Sequence, residues 1–141
     1  MYLRFIGPFP TRGASRVRNC DYGIFQTAFM ARDDQLMEQC LIDELMAEVD
    51  WFKEHLPSPD DHHFDYAGAN VGICWFRDDA RTMIRRCRRM VNILCAGDIW
   101  VTEARTDNPG QILYRDDYQI VAKPRKSTPT KWGQHQSSLR R

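Results

Sequence analysis

Two groups of residues in this chain have types and spacings that could do chemistry. The first is Asp60, Asp61, His62, His63 and Asp65, carboxylates and imidazoles packed into one short stretch. Such oxygen and nitrogen donors suit zinc and other divalent transition metals, or general acid–base work. The spacing is neither HxH nor HExxH, however, and adjacent histidines on a loop point apart. Pro57 and Pro59 open the segment and turn-forming residues fill it, so a solvated surface loop accounts for the same composition. A metal-dependent hydrolase built on 60–65 is therefore the third of three readings, and no catalytic or metal-ligating residue is assigned. Cys74 could act as a nucleophile with His62 or His63 as its base. It stands between Ile73 and Trp75 in an apolar run, where a thiol packs as a small hydrophobe.

The second group is Arg81, Arg85, Arg88 and Arg89, and it lies in the most strongly patterned part of the chain. Ala80, Met83, Ile84, Cys87, Met90, Val91 and Leu94 recur at three- and four-residue steps. At about 3.6 residues per turn they form one apolar stripe, with the four arginines on roughly the opposite side and Arg86 at the border. Asp78 or Asp79 is the predicted N-cap, and Gly97 the predicted left-handed residue past the helix end. Arginines along one helix face can follow phosphates or meet an acidic partner. Lys126 and Trp132 join them as candidate binding residues, because a tryptophan among lysines can stack on a base or anchor to a partner. Lys123, Arg125 and Lys131 would assist. Arg12, Arg16 and Arg18, in a polar loop, are further possible anion contacts.

The elements that must position these groups read as a β-α-α-α-β-β-β order. Tyr2 to Ile6 is a short β-prone run that Gly7, Pro8 and Pro10 end. Gly23 to Ala31 patterns as a short helix. Asp33 and Asp34 can cap a longer acidic helix ending near His55, with Met37, Leu41, Leu45, Val49 and Phe52 at helical spacing and Trp51 beside them. The apolar run 72–77 leads into the arginine helix. Ile99–Thr106, Gln111–Arg115 and Tyr118–Lys123 follow as strands of an antiparallel meander, with a turn at Asn108-Pro109-Gly110. The predicted class is α+β, a small antiparallel sheet with helices packed on one face. Residues 1–124 form the compact domain, and 125–141 read as a flexible basic tail with five basic residues and no acidic one.

Composition narrows the function classes. The chain has 141 residues, enough for one domain with its own core. No apolar run reaches the roughly 18 residues of a membrane span, and the start lacks the apolar core of a secretion signal. A cytoplasmic protein with no membrane contact is predicted. The five cysteines, Cys20, Cys40, Cys74, Cys87 and Cys95, are odd in number and contain no CxxC pair, which argues against a disulfide framework. Cys40 and Cys87 fall at packing positions. Residues 1–70 carry six basic and twelve acidic side chains, and residues 71–141 fourteen and seven. That polarity can recruit an acidic partner to the second half, or the halves can neutralise one another within the fold.

Several landmarks are similar to a scattered family of small uncharacterised bacterial proteins. They are Met1-Tyr2-Leu3-Arg4-Phe5, Phe25-Gln26-Thr27-Ala28, Trp51-Phe52 with Leu56-Pro57-Ser58-Pro59, Cys74-Trp75-Phe76-Arg77, and Tyr114 through Ala122. The resemblance spans most of 1–124 and implies a single bacterial or mobile-element domain; it carries no site residue. The arginines at 81, 85, 86, 88 and 89 are heavier than that family's pattern. No phosphate loop, HExxH or GxSxG is present, and no cofactor is predicted. A non-catalytic interaction module, a regulator or inhibitor docking on a larger protein, is the first reading. Nucleic-acid binding through 81–89 and the tail is the alternative.

Overall fold

A computed structural model of the chain describes residues 1–11, 20–59 and 72–135. Along the chain come β1 (Tyr2–Pro10), β2 (Asp21–Gly23), α1 (Ile24–Asp33), α2 (Gln39–His55), β3 (Ile73–Arg77) and α3 (Arg81–Ala96). They are followed by β4 (Thr102–Thr106), β5 (Gln111–Arg115) and β6 (Gln119–Lys123). All strand pairs are antiparallel, and the α+β class with helices on one sheet face is as the sequence predicts.

β1 is the centre of the sheet. Tyr2 faces Thr106 of β4 on one edge and Arg77 of β3 on the other. Ile6 faces Thr102 of β4 and Gly23 of β2. β3 and β2 therefore lie one after the other along the same edge of β1, and β4 lies opposite them. β6 and then β5 continue outward from β3.

Alternation along the strands divides the core in two. Leu3, Phe5 and Phe76 face the helices, where they meet Ile24, Leu45, Val49, Phe52, Met83 and Leu94. Ile6, Trp75, Ala104, Ile120 and Ala122 form a second cluster on the other face. The link from β4 to β5 is residues 107–110, which at about 3.5 Å per residue reaches at most about 17 Å. Four strand spacings of about 4.8 Å would hold the edges of a flat sheet about 19 Å apart. The sheet is therefore curled, with the small second cluster on its inner side and the helices outside.

Several sequence expectations are corrected here. Residues 73–77 are a central strand, not a lead-in; Ile73 and Trp75 are buried on one face and Phe76 on the other, which erases the alternation that marks a half-exposed strand. β1 runs on through the prolines to Pro10, because its β4 partner stops opposite Ile6 and no ladder on that side needs their missing N–H. β4 pairs with β1 rather than β5, so the last strands make no meander. Asp33 and Asp34 end α1 instead of capping α2.

The ends of α3 also differ from expectation. Its N-cap is Ala80 with no side-chain cap, while Asp79 accepts from Arg77 at 3.1 Å. Past its end the left-handed residue is Asp98 (φ 64), and Gly97 has φ −94. Gly97 serves close packing instead, since a Cβ there would run into the side chain of Met37. The compact unit continues beyond 124. Thr128 and Pro129 are buried, Asp21 N–H donates to the Thr130 carbonyl at 2.8 Å, and Arg105 N–H donates to that of His135 at 2.6 Å. The segment 125–135 thus packs against β2 and β4; 136–141 lie outside the described residues.

Gly110 has φ +109, and a Cβ there would strike the carbonyl of Lys123. Gly110→Ala should lower unfolding stability by at least the ~1–3 kcal/mol of backbone strain. Gly133, with φ +92 and open space around it, should lose less on the same change. Urea titration of both variants measures the difference.

Candidate functional site

α3 holds its arginines where the helical pattern predicts, but their partners divide them. Arg81 and Arg85 are exposed and, among the described residues, have no ion-pair partner. Arg88 grips Glu103 of β4 in a fork, Nε to Oε1 and Nη2 to Oε2, both at 2.9 Å. Arg105 reaches the same carboxylate at 2.9 Å. These guanidinium hydrogen bonds, Arg88's first, hold Glu103 below the usual carboxylate range against the opposing effect of partial burial. Arg89 is 60% exposed, with Glu48 at 3.8 Å.

Arg86, at the border of the stripe, is structural. It donates to Glu48 of α2 at 3.1 Å and lies over the Trp51 ring at 4.4 Å. His55 stacks on that ring as well, 4.2 Å between centroids. One acidic residue of α2 thus fastens α3 through Arg86, while Asp43, Glu44, Asp50 and Glu54 face solvent. The charge polarity of the two halves is used within the fold, and only in part.

Lys126 is exposed. Trp132 is half exposed, yet it is anchored: its indole N–H donates to the Trp100 carbonyl at 2.6 Å and its backbone N–H to Asp21 Oδ2 at 2.7 Å. Trp100 itself is 59% exposed. Two large aromatic side chains therefore stand together at the surface just before β4.

A second feature, which the sequence reading does not anticipate, is a cleft of about 590 Å³ beside the break between β2 and β3. Its wall is aromatic: Phe25 and Phe52 meet edge-on at 5.0 Å, and Phe52 and Phe76 lie 6.3 Å apart, with Phe5 and Phe29 alongside. Arg4 lies at the break. Its Nη1 donates to the Cys74 carbonyl of β3 at 3.0 Å, and its Nη2 to the Asp21 carbonyl of β2 at 3.4 Å. Arg4 Nε and Trp75 Nε1 are buried without a hydrogen-bond partner among the described residues. The available signal was an arginine between Leu3 and Phe5 in an apolar strand, which is costly unless something needs it.

Thr11, Cys20, Pro59 and Gly72 also line the cleft. Arg12, Arg16, Arg18, Asp60, Asp61, His62, His63 and Asp65, which follow or precede them, lie outside the described residues. Among the described residues no group of three or more His, Cys, Asp or Glu could hold a metal, and no helix is long and apolar enough to cross a membrane. Comparison with protein-family models, curated proteins and solved structures gives no match. The reading of function therefore rests on geometry.

Three of the thiols are suppressed. Burial pushes Cys74 up to about 11 and raises Cys20 and Cys87 as well. Cys40 is exposed, contrary to its predicted packing role, because Ile42 and Leu45 take the buried side of α2.

Iodoacetamide at pH 8, followed by peptide mass spectrometry, should label Cys40 well before Cys20, Cys74 or Cys87, which become reactive on unfolding. A second outcome concerns Glu103. Its folded pKa is depressed, so its contribution exists above the unfolded value of about 4.3 and disappears as pH falls through the folded one. Glu103→Gln should cost at most about 1 kcal/mol at pH 7. Denaturant curves at successively lower pH should show that gap closing below about pH 4.

Proposed function

We propose that this chain is a non-catalytic interaction module, a small regulator or inhibitor, that docks on a larger protein through the outer face of α3. The observation that carries the reading is the division of the arginines. α3 has five of them and no acidic residue of its own. Arg86 is consumed in holding α2, whereas Arg81 and Arg85 stand exposed with no ion-pair partner among the described residues. Arg88 and Arg89 remain half exposed beside them. An acidic patch on a partner would complete these charges.

A protein suits this face better than a polyanion. Glu103 and Glu48 interrupt the row of guanidinium groups, and the exposed acids of α2 lie on the neighbouring helix. A continuous phosphate chain would have to pass those carboxylates, whereas a bounded acidic patch need not. Arginine is among the residue types that dominate binding energy at protein interfaces.

A photo-crosslinking residue at exposed Thr82, in cells of the source organism, should give a discrete protein adduct. The adduct should vanish when Arg81→Gln and Arg85→Gln are combined, a change that keeps helix propensity. A crosslinker at Glu54, on the outer side of α2, should give none. In parallel, labelled RNA, single-stranded DNA and duplex DNA should bind weakly, with no change in the double variant. Tight, steeply salt-dependent nucleic-acid binding lost in that variant would overturn the protein reading in favour of a nucleic-acid one.

A further inference from the structure

We propose that the cleft at the break between β2 and β3 is a binding site for a small molecule with an aromatic or aliphatic body and a single carboxylate. This does not depend on the role given to α3. The volume, about 590 Å³, falls within the range of roughly 300–1,000 Å³ that small-ligand sites occupy. The phenylalanine wall described above offers ring edges and faces to an apolar body. The head group follows from charge. Among the described residues lining the cleft, the charged ones are Arg4 and Lys53, both cationic, with Asp50 4.0 Å from Lys53 at the rim.

Arg4 is held by two backbone carbonyls, which orient the guanidinium but do not neutralise it. Asp21, whose carbonyl it contacts, uses its carboxylate on the backbone N–H of Trp132. Among the described residues, the Nε–H of Arg4 and the indole N–H of Trp75, two lining residues, are buried with no acceptor. A buried donor without a partner costs about 1–3 kcal/mol. A ligand carboxylate at the part-exposed Arg4 guanidinium would supply the balancing charge, and charge-assisted bonds of this kind are about twice as strong as neutral ones. The monoanion is favoured over phosphate because a dianion would enter an apolar cleft with too few donors to satisfy it.

The test uses the full chain, labelled with ¹⁵N, and three probes: 4-phenylbutyrate, 4-phenylbutanol and 4-phenylbutylamine. Amide shifts on titration give both affinity and location. The carboxylate should bind at least tenfold more tightly than the alcohol, with the amine weakest. Its shifts should centre on Ile24, Phe52, Ile73 and Gln119. Arg4→Gln should reduce the carboxylate to the affinity of the alcohol. Because Arg4 also ties β2 to β3, Lys53→Glu is measured beside it. Lys53 is an exposed residue, so the fold is preserved, and the carboxylate alone should weaken several-fold. Equal affinity of acid and alcohol, shifts confined to Arg81 and Arg85, or no shift of a cleft amide at millimolar probe would each overturn the proposal.

Discussion

β1 has to satisfy its backbone from three directions at once, and the rest of the molecule follows from how it does so. Along one edge it takes β4 continuously from Tyr2 to Ile6. Along the other it is shared by β3 and β2, which arrive from different parts of the chain and do not join. A break in a sheet leaves polar backbone groups that neither neighbouring strand can satisfy, and such groups are expensive when buried. Arg4 is the solution, with one guanidinium donating to both strands. The cleft is the remainder of that break, which the rings of α1, α2 and β3 surround without closing. Packing and site have the same origin.

The charges obey a similar economy. Glu48, an acidic residue of α2, fixes α3 through Arg86 and lies near Arg89; Glu103 of β4 collects Arg88 and Arg105. Each pair is at least partly solvated, so none dominates stability. Their effect is on specificity. They determine which guanidinium groups are tied to the body of the fold and which stay available on its surface. Arg81 and Arg85, one turn apart at the start of α3, are the pair left out of this internal arrangement.

The sequence disclosed local structure well and long-range pairing poorly, for physical reasons. α3 was legible because its apolar residues and arginines separate at the helical period over sixteen residues. β5 and the turn before β6 were legible from alternation and turn chemistry. β3 was not, since a strand buried on both faces loses period two and cannot be told from any short apolar run. β4 was given to the wrong neighbour because strand patterning carries no record of its partner. The arginine site was half legible: residue types and face were readable, but whether each guanidinium was free depended on Glu48 and Glu103, which belong to other elements. The cleft was invisible, because the break that creates it exists only once β2, β1 and β3 are assembled.

The packed segment 125–135 has a consequence for how the chain reaches this state. Trp132 closes on Asp21 across 111 positions, and Gly133 donates to Thr102. Contacts of such sequence separation are slow to form, because loop closure must come before any of them is rewarded. Ribosomes add about 5–20 residues per second, so β1 emerges roughly 5–20 s before the strand that will cover its open edge. During that interval β1 can pair with β2 and β3, but its other edge stays open. The inner cluster stays incomplete until Ala104, Ile120 and Ala122 follow. The fold is therefore completed only after nearly all of the described chain has been made, and until then its N-terminal strand is a natural client for chaperones that hold exposed apolar segments.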